Sequence, residues 1–193
     1  QKEWPRGIPP RYKRFVSIDH GISAPYCALW HAVDEAGNVW TYMEDYERQC
    51  TADVQAQRVI QKSYDNDVYF AEYLDPSMWS QDEWARGKKP SEKSAADIYR
   101  DIFDGDDRFG PLVPGTKRPD IGMHTLDKLL NRENDFANWY IERGCENLWK
   151  ELNSAIFYKT PQGIWTEKLD PKCEDHAITS AVYGLHAWYE NFK

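Results

Sequence analysis

The chain has 193 residues, of which 41% are hydrophobic and 15% are aromatic, so it can bury one sizeable core within the length of a typical single domain. Its net charge of −8, from 32 acidic residues against 24 lysines and arginines, excludes a generic polyanion binder. That charge does not exclude a nucleic-acid enzyme that concentrates its acids around metal ions. We expect one domain over residues 1–193, with residues 1–13 as an N-terminal linker segment.

No apolar run approaches the roughly eighteen residues that a membrane-spanning helix needs, and the first ten residues lack the apolar core of a signal peptide. We therefore expect a soluble, cytoplasmic protein with no membrane partner. The four cysteines are widely spaced and include no C-x-x-C pair, which disfavours both a disulfide scaffold and a structural zinc site. Packed or unused free thiols are the simpler interpretation.

Three runs rich in β-branched and aromatic residues predict the first three strands, at residues 14–19, 26–34 and 38–46. The second and third runs are joined by a short segment with Gly37, which suits a tight hairpin. We therefore expect three consecutive antiparallel strands. Asp19 ends the first of them, and because an Asp near a Gly commonly terminates a strand, this residue alone indicates no site.

Helical spacing after Thr51 predicts a helix over about residues 51–62, and "DVYFAEYLDP" then predicts a fourth strand that Pro76 stops at Asp75. Residues 77–93 have no sustained period, so they predict a long basic loop. The remaining predicted elements alternate between helices and short strands. They are a helix capped by Ser94, a strand at 110–115, a helix at 118–132, a strand at 136–142, a helix at about 144–153, and a last helix that starts near Glu174.

This order predicts an α/β fold with a central mixed sheet of at least five strands, flanked by helices. Three acids occupy comparable positions in it: Asp19 ends strand one, Asp75 ends strand four, and Asp175 lies at the start of the last helix. Like charges that converge in one cleft repel each other, so such a cluster usually holds a hard cation. A pair of Mg²⁺ or Mn²⁺ ions at this place favours phosphodiester hydrolysis as the reaction.

Several motifs along the chain together resemble one known family. The sequence resembles the C-terminal nuclease domain of the large terminase subunit of tailed bacteriophages, which belongs to the RNase H-like superfamily. The motifs are "SIDHG", "VDEAGNVW", "EDY", "YLDPSMW", "RPDIGMHTLDKLL", "CENLWKEL" and "EDHAITSAVYG". The resemblance implies an RNase H-like fold and a metal-dependent endodeoxyribonuclease that cuts concatemeric viral DNA during genome packaging.

The resemblance also implies roles for individual acids. Asp19 matches the first catalytic and metal-binding acid of the family, and Asp75 matches the second. The third comes from a pattern Asp-His-x-x-Asp-Ala in the last helix, which Asp175 and His176 fit. Thr179 stands where the pattern has its second acid, and a neutral hydroxyl is a poor anionic ligand. We therefore assign the third ligand role to Asp175, with Glu174 as a substitute and His176 as an orienting or metal-adjacent group.

Other residues near the predicted site have two interpretations each. Glu44 and Asp45 end strand three, where they could reach the metals or form a solvated strand end. His20 could touch a phosphate or be merely exposed. Trp79 and Trp84 could stack on DNA or pack the loop down. The candidate DNA-binding cations, which are otherwise solvated loop charges, are Arg86, Lys88, Lys89 and Lys93.

The resemblance further implies double-stranded DNA, a packaging ATPase domain, the small terminase subunit and the portal as partners. These residues contain no G-x-x-x-x-G-K-[ST] loop, so the chain is not itself the motor. Two alternatives stay open: another RNase H-like nuclease such as a junction resolvase or transposase core, and a catalytically decayed docking module. Thr179 is the sequence feature that favours the decayed module.

Overall fold

The structure is a computed structural model that describes residues 8–80, 93–131 and 139–191. Within these residues, one mixed sheet has six strands in the order β5-β4-β1-β2-β3-β6. Strands β1, β2 and β3 are antiparallel neighbours, β4 and β5 continue the sheet in parallel beside β1, and β6 runs parallel to β3. The predicted mixed sheet with three antiparallel strands is confirmed. The strands are β1 (Lys13–Asp19), β2 (Tyr26–Val33), β3 (Val39–Glu47), β4 (Tyr69–Leu74), β5 (Leu112–Pro114) and β6 (Trp139–Ile141).

Helices cover both faces of this sheet, which gives the predicted α/β arrangement. Helices α1 and α2 pack on one face, and α3, α4 and α5 pack on the other. The helices are α1 (Ala52–Lys62), α2 (Ala95–Phe103), α3 (Pro119–Asn131), α4 (Glu146–Ser154) and α5 (His176–Asn191). Among the residues described, no helix is long and apolar enough to cross a membrane.

Two parts of the chain differ from the sequence prediction. A hairpin of β7 (Phe157–Lys159) and β8 (Trp165–Leu169) was not predicted, because it lies outside the main sheet and its side chains show no buried alternation. The predicted loop at 77–93 begins instead inside a short 3-10 helix, Pro76–Trp79, where the Asp75 side chain accepts a hydrogen bond from the Ser77 amide. Residues 81–92 of that loop lie outside the described residues.

The cysteines agree with their interpretation as packed thiols. All four are free, and Cys27, Cys50 and Cys145 are buried in the two hydrophobic clusters that flank the sheet. Burial raises the pKa of each of these three thiols, so they act as small apolar groups rather than nucleophiles.

The alternation of side chains along β1 determines the face of the sheet on which Asp19 lies. Phe15 packs in the cluster beneath α5, whereas Val16 and Ile18 pack in the cluster beneath α1 and α2. Successive side chains of a strand point to opposite faces, so Ser17 and Asp19 share the α5 face with Phe15. The first predicted acid therefore lies under the last helix.

Helix α5 crosses β1 in direct contact at Gly184. A Cβ atom at this position would lie 2.6 Å from Ser17 Cβ and 2.9 Å from the Phe15 ring, so any larger residue would push the helix away from the sheet. This close approach holds the N-terminal end of α5 near the end of β1. The helix therefore carries residues 175 and 176 toward Asp19.

A buried chain of hydrogen bonds ties the sheet to the same helix. Trp139 Nε1–H donates to Thr41 Oγ1 at 2.8 Å, and Ser180 Oγ donates to the Ser17 carbonyl at 2.9 Å. Because the Ser180 proton is committed, Ser17 Oγ donates to Ser180 at 3.1 Å and accepts from His31 Nε2 at 2.8 Å. His31 Nδ1 then accepts from the Thr41 hydroxyl at 2.8 Å. Burial lowers the pKa of His31 to about 3, which keeps the ring neutral and gives the chain one direction.

Candidate active site

The ends of β1 and β4 bring two of the predicted acids to one edge of the sheet. These strands run parallel with Ile18 opposite Leu74, so Asp19 and Asp75 each follow the last paired residue. The Asp75 amide donates to the Ile18 carbonyl at 2.9 Å, and Asp75 Oδ1 accepts from the Ser77 amide at 2.8 Å. The turn after β4 therefore holds the Asp75 carboxylate beside the end of β1.

Helix α5 brings the third acid. Asp175 directly precedes the helix and is half-buried, and His176 is its first residue. The Asp19 carboxylate accepts a hydrogen bond from His176 Nδ1 at 3.0 Å, with the Asp19 side chain only 9% exposed. His176 therefore orients Asp19 from above the sheet.

The pKa of Asp19 depends on the charges of the other two acids. The pKa of Asp19 is raised to about 7, mainly by burial; the hydrogen bond from His176 opposes the rise, and the charges of Asp75 and Asp175 add to it. Burial also raises the pKa of Asp175. The pKa of His176 is raised, mainly by its hydrogen bond to Asp19. Three acids that repel each other in a partly buried cleft form an environment that a divalent cation would stabilise.

The cleft does not yet have the geometry of a bound metal ion. In the described part of the chain, no group of three or more His, Cys, Asp or Glu side chains is arranged to hold a metal as it stands. The donor chemistry nevertheless fits a hard cation, because carboxylate oxygens are the preferred ligands of Mg²⁺ and Mn²⁺.

Tyr183 is a site residue that the sequence analysis missed. Its hydroxyl hydrogen-bonds to Asp75, and its pKa is raised first by burial and then by the charges of Asp75 and Asp19. Tyr183 lies one helical turn beyond Thr179 on α5, so the i, i+4 spacing along the helix was the available signal. The tyrosine joins the second acid to the helix that carries the third.

Glu151 is a second missed residue, and it positions the start of α5. Its Oε2 accepts hydrogen bonds from the Ala177 amide at 2.7 Å and the Ile178 amide at 3.1 Å, while Oε1 accepts from the Tyr46 hydroxyl at 2.9 Å. Helix N-termini leave amide donors unpaired, and here a side chain from α4 pairs two of them. The cap fixes the place of residues 175 and 176. Glu151 lies in the "CENLWKEL" motif, 25 residues before His176, so no local pattern indicated this contact.

Two other acids with proposed ligand roles have different contacts. Glu44 accepts from the Asn147 amide at 3.1 Å and from the Leu148 amide at 2.8 Å, so it caps α4. Glu174 is exposed and pairs with Arg48 at 2.9 Å. Asp45, considered beside Glu44, is buried in ion pairs with Arg58 and Lys62. Of these acids and Asp175, it is Asp175, directly before α5, whose charge acts on Asp19.

The predicted DNA-binding residues are only partly within the described structure. His20 Nδ1 donates to Gln55 Oε1 at 2.7 Å, because the Gln55 amide nitrogen is already bound to two carbonyl groups. Lys93 pairs with Asp101 on α2. Trp79 packs against the cluster beneath α1 and α2, in agreement with its interpretation as a packing residue. The residues outside the described part are Trp84, Arg86, Lys88 and Lys89.

A cavity of about 240 Å³ lies between α3, β8 and α5, with Asp175 in its wall. Asp175 and Thr179 both line it, together with Asp120 and Lys168 from the facing elements. The Thr179 amide donates to the Asp175 carbonyl at 2.7 Å, so the two residues lie one helical turn apart on the wall of this cavity.

Comparisons with known proteins bear on the fold of the chain. No protein-family model matches the chain, and no curated protein matches it. Among solved structures, the large terminase of a thermophilic bacteriophage is 16% identical with a TM-score of 0.64, and the match covers 93% of this chain and 41% of that one. The nuclease domain of the large terminase of bacteriophage SPP1 with bound Mn is 15% identical with a TM-score of 0.60, covering 93% of this chain and 87% of that one.

The large terminase nuclease of the thermophilic phage G20c with bound cobalt is 13% identical, with a TM-score of 0.57 and coverage of 92% of this chain and 82% of that one. The chain thus spans about two fifths of the first of these three proteins but most of each isolated nuclease domain. At these identities the likeness concerns the fold. The chain has the RNase H-like fold of the nuclease domains of phage large terminases.

Proposed function

We propose that this chain is a metal-dependent DNA endonuclease that cuts concatemeric viral DNA during genome packaging. The observation that carries the proposal is the approach of Asp19, Asp75 and Asp175 to one partly buried cleft, where their charges act on the ionisation of Asp19. The manganese and cobalt bound in the SPP1 and G20c nucleases support a divalent metal as the cofactor of this fold.

Asp19, Asp75 and Asp175 would hold two Mg²⁺ or Mn²⁺ ions, which would polarise the scissile phosphate and lower the pKa of the attacking water. The other residues of the cleft hold these ligands in place. His176 restrains Asp19, Tyr183 restrains Asp75, and Glu151 fixes the first turn of α5. Such supporting hydrogen bonds orient ligands and strengthen metal binding.

The proposed partners follow the same comparison. Double-stranded DNA would be the substrate, with Arg86, Lys88 and Lys89 as phosphate contacts. The chain covers 40% of a thermophilic-phage large terminase solved with ADP, which supports a packaging ATPase domain as the neighbouring part of a longer protein. The small terminase subunit and the portal would complete the assembly, in the cytoplasm of an infected host. A junction resolvase or transposase core is the alternative nuclease, and Thr179 favours a decayed docking module as the alternative without catalysis.

Millimolar Mn²⁺ or Mg²⁺ is expected to raise the melting temperature, because the ions bind the acid cleft of the folded chain and not the unfolded chain. Saturation at about 100 times Kd adds about 2.7 kcal/mol, and each kcal/mol corresponds to about 2–4 °C for a chain of this size. Thermal scans with and without EDTA measure the shift. Asp19→Asn should reduce it, and an unchanged wild-type melting curve would contradict the site.

Substitutions at the start of α5 can identify which residue there binds the metal. Asp175→Asn is expected to lower plasmid nicking by at least about 100-fold, because loss of a ligand should exceed the 10–100-fold cost of losing an outer contact. Glu174→Gln should change nicking only a few-fold, since it removes an exposed pair with Arg48. Thr179→Asp should keep or raise activity. Nicking that survives Asp175→Asn but is lost in Glu174→Gln would move the ligand by one position.

A further inference from the structure

A second and larger cavity lies at the opposite end of the sheet from the acid cleft. Its volume is about 590 Å³, and its walls include Tyr42, Tyr64, Asn66, Asp67 and Glu142. Asp67 contacts Arg14, five residues before Asp19 on β1, so the cavity and the cleft are separated by roughly 17 Å of strand. We call it the Tyr64 cavity.

The Asp67 carboxylate is already satisfied by groups of this chain. Arg14 Nε lies 3.0 Å from Asp67 Oδ1 in a buried ion pair, although its N–H does not point at that oxygen. The hydroxyls of Tyr42 and Tyr69 donate to Oδ2 at 3.1 and 3.2 Å. Asp67 therefore fixes the wall of the cavity and has little capacity for a further ligand.

Glu142 and Asn66 differ from Asp67. Across residues 8–80, 93–131 and 139–191, neither the Glu142 carboxylate nor the Asn66 side-chain amide has a hydrogen-bond or ion-pair partner. Tyr64 is 58% exposed, and its ring is nearly parallel to that of Tyr42, with centroids 6.4 Å apart. The cavity thus offers one unpaired carboxylate, one amide oxygen and two aromatic faces.

The groups that line the cavity favour a cationic occupant over an anionic one. The Glu142 carboxylate and the fully exposed Asp65 beside Tyr64 would repel a phosphate backbone, so DNA does not fit the Tyr64 cavity. A cation is attracted both by the carboxylate and by the negative faces of tyrosine rings. A planar guanidinium can donate two parallel hydrogen bonds to a carboxylate and stack on an aromatic ring, which a compact ammonium cannot do.

We propose that the Tyr64 cavity is a docking site for an arginine side chain in a basic segment of a partner protein. The guanidinium pairs with Glu142 and stacks on Tyr64, while Asn66 accepts a further N–H. The Tyr64 cavity is separate from the acid cleft, so a partner bound there leaves the cleft open.

A blocked tripeptide, acetyl-Gly-Arg-Gly-amide, is the probe, and its citrulline counterpart is an uncharged control of the same shape. Titration into the whole ¹⁵N-labelled chain is expected to shift the amide signals of Tyr42, Tyr64 and Gly144. Glu142→Gln and Tyr64→Ala should each weaken binding by about 5-fold or more, as expected for a lost charge-assisted hydrogen bond or cation–π contact. Asp107→Asn removes an exposed acid that does not line the cavity and should change binding less than about 2-fold.

Equal binding of the citrulline peptide, or unchanged binding to Glu142→Gln, would overturn the proposal. Shifts confined to the acid cleft or spread over the surface would also overturn it, because they would show general attraction of a cation to an acidic protein. Binding that appears only after residues 1–7 are removed would assign the cavity to the chain's own N-terminal segment and not to a partner.

Discussion

Asp19→Asn is expected to abolish metal-dependent DNA cleavage, with a loss of at least about 100-fold, while the fold is retained. The side chain is almost fully buried, and the charges of both Asp75 and Asp175 act on it. Changes to outer contacts of a metal site typically cost 10–100-fold in affinity or activity, so removing a central anionic ligand should cost more. Asparagine keeps the size of the side chain, which separates the loss of charge from a loss of packing.

The same variant should be more stable than the wild type in EDTA at pH 8. The folded-state pKa of Asp19 is raised to about 7 from an ordinary value of 3.8, so folding opposes ionisation of this group. The resulting cost is absent below pH 3.8 and complete above pH 7. Urea unfolding at pH 4 and pH 8 should therefore show a difference between variant and wild type only at the higher pH.

Plasmid nicking and metal-induced stabilisation supply the decisive measurements. Asp75→Asn should behave as Asp19→Asn does, whereas Asp107→Asn should cleave at the wild-type rate because it removes an exposed acid in the loop after α2. Full cleavage by Asp19→Asn would exclude it as a ligand. A wild-type chain that neither cleaves DNA nor is stabilised by metal would favour the decayed docking module.

The part of the site that could be predicted from the sequence depends on strand ends. Asp19 ends β1 and Asp75 directly follows β4, and parallel neighbours bring such strand ends to one edge of a sheet. The supporting residues could not be predicted in this way, because their roles depend on contacts between distant segments. Glu44 and Glu151 both cap helices from other elements, and no local pattern distinguishes such an acid from a metal ligand.

Exposure explains what was missed elsewhere in the fold. The hairpin β7–β8 leaves Phe157 and Trp165 49% and 62% exposed, so it lacks the alternation of buried residues by which strands are recognised. The Arg14–Asp67 ion pair was missed because it is buried. Arginine and aspartate are usually exposed, so no feature of the sequence indicated that both side chains lie in the interior. Only the register of β1 against β4 brings them together in the interior.

Glu72 leads to the second large expected effect, which concerns stability and not cleavage. It lies within β4 with no exposure, and the only hydrogen bond of its side chain among the described residues is from the Gly110 amide to Oε1 at 3.1 Å. Oε2 is buried without a partner. Burial raises the pKa of Glu72 to about 8 from an ordinary value of 4.5, so the folded chain holds a proton at neutral pH that the unfolded chain releases.

Glu72→Gln is therefore expected to flatten the loss of stability that the wild type shows as pH rises from 4.5 to 8. At about 1.36 kcal/mol per pH unit, the acid costs at most roughly 5 kcal/mol at pH 8 and nothing below pH 4.5. Glutamine resembles the protonated acid in size and is likewise uncharged, so the two chains should be equally stable near pH 4.5 and diverge above it. Urea unfolding in EDTA at fixed ionic strength, with exposed Glu146→Gln as control, measures the difference. Parallel stability curves for Glu72→Gln and wild type would contradict this prediction. They would show that the buried carboxyl is already ionised at neutral pH, stabilised by a partner other than the Gly110 amide.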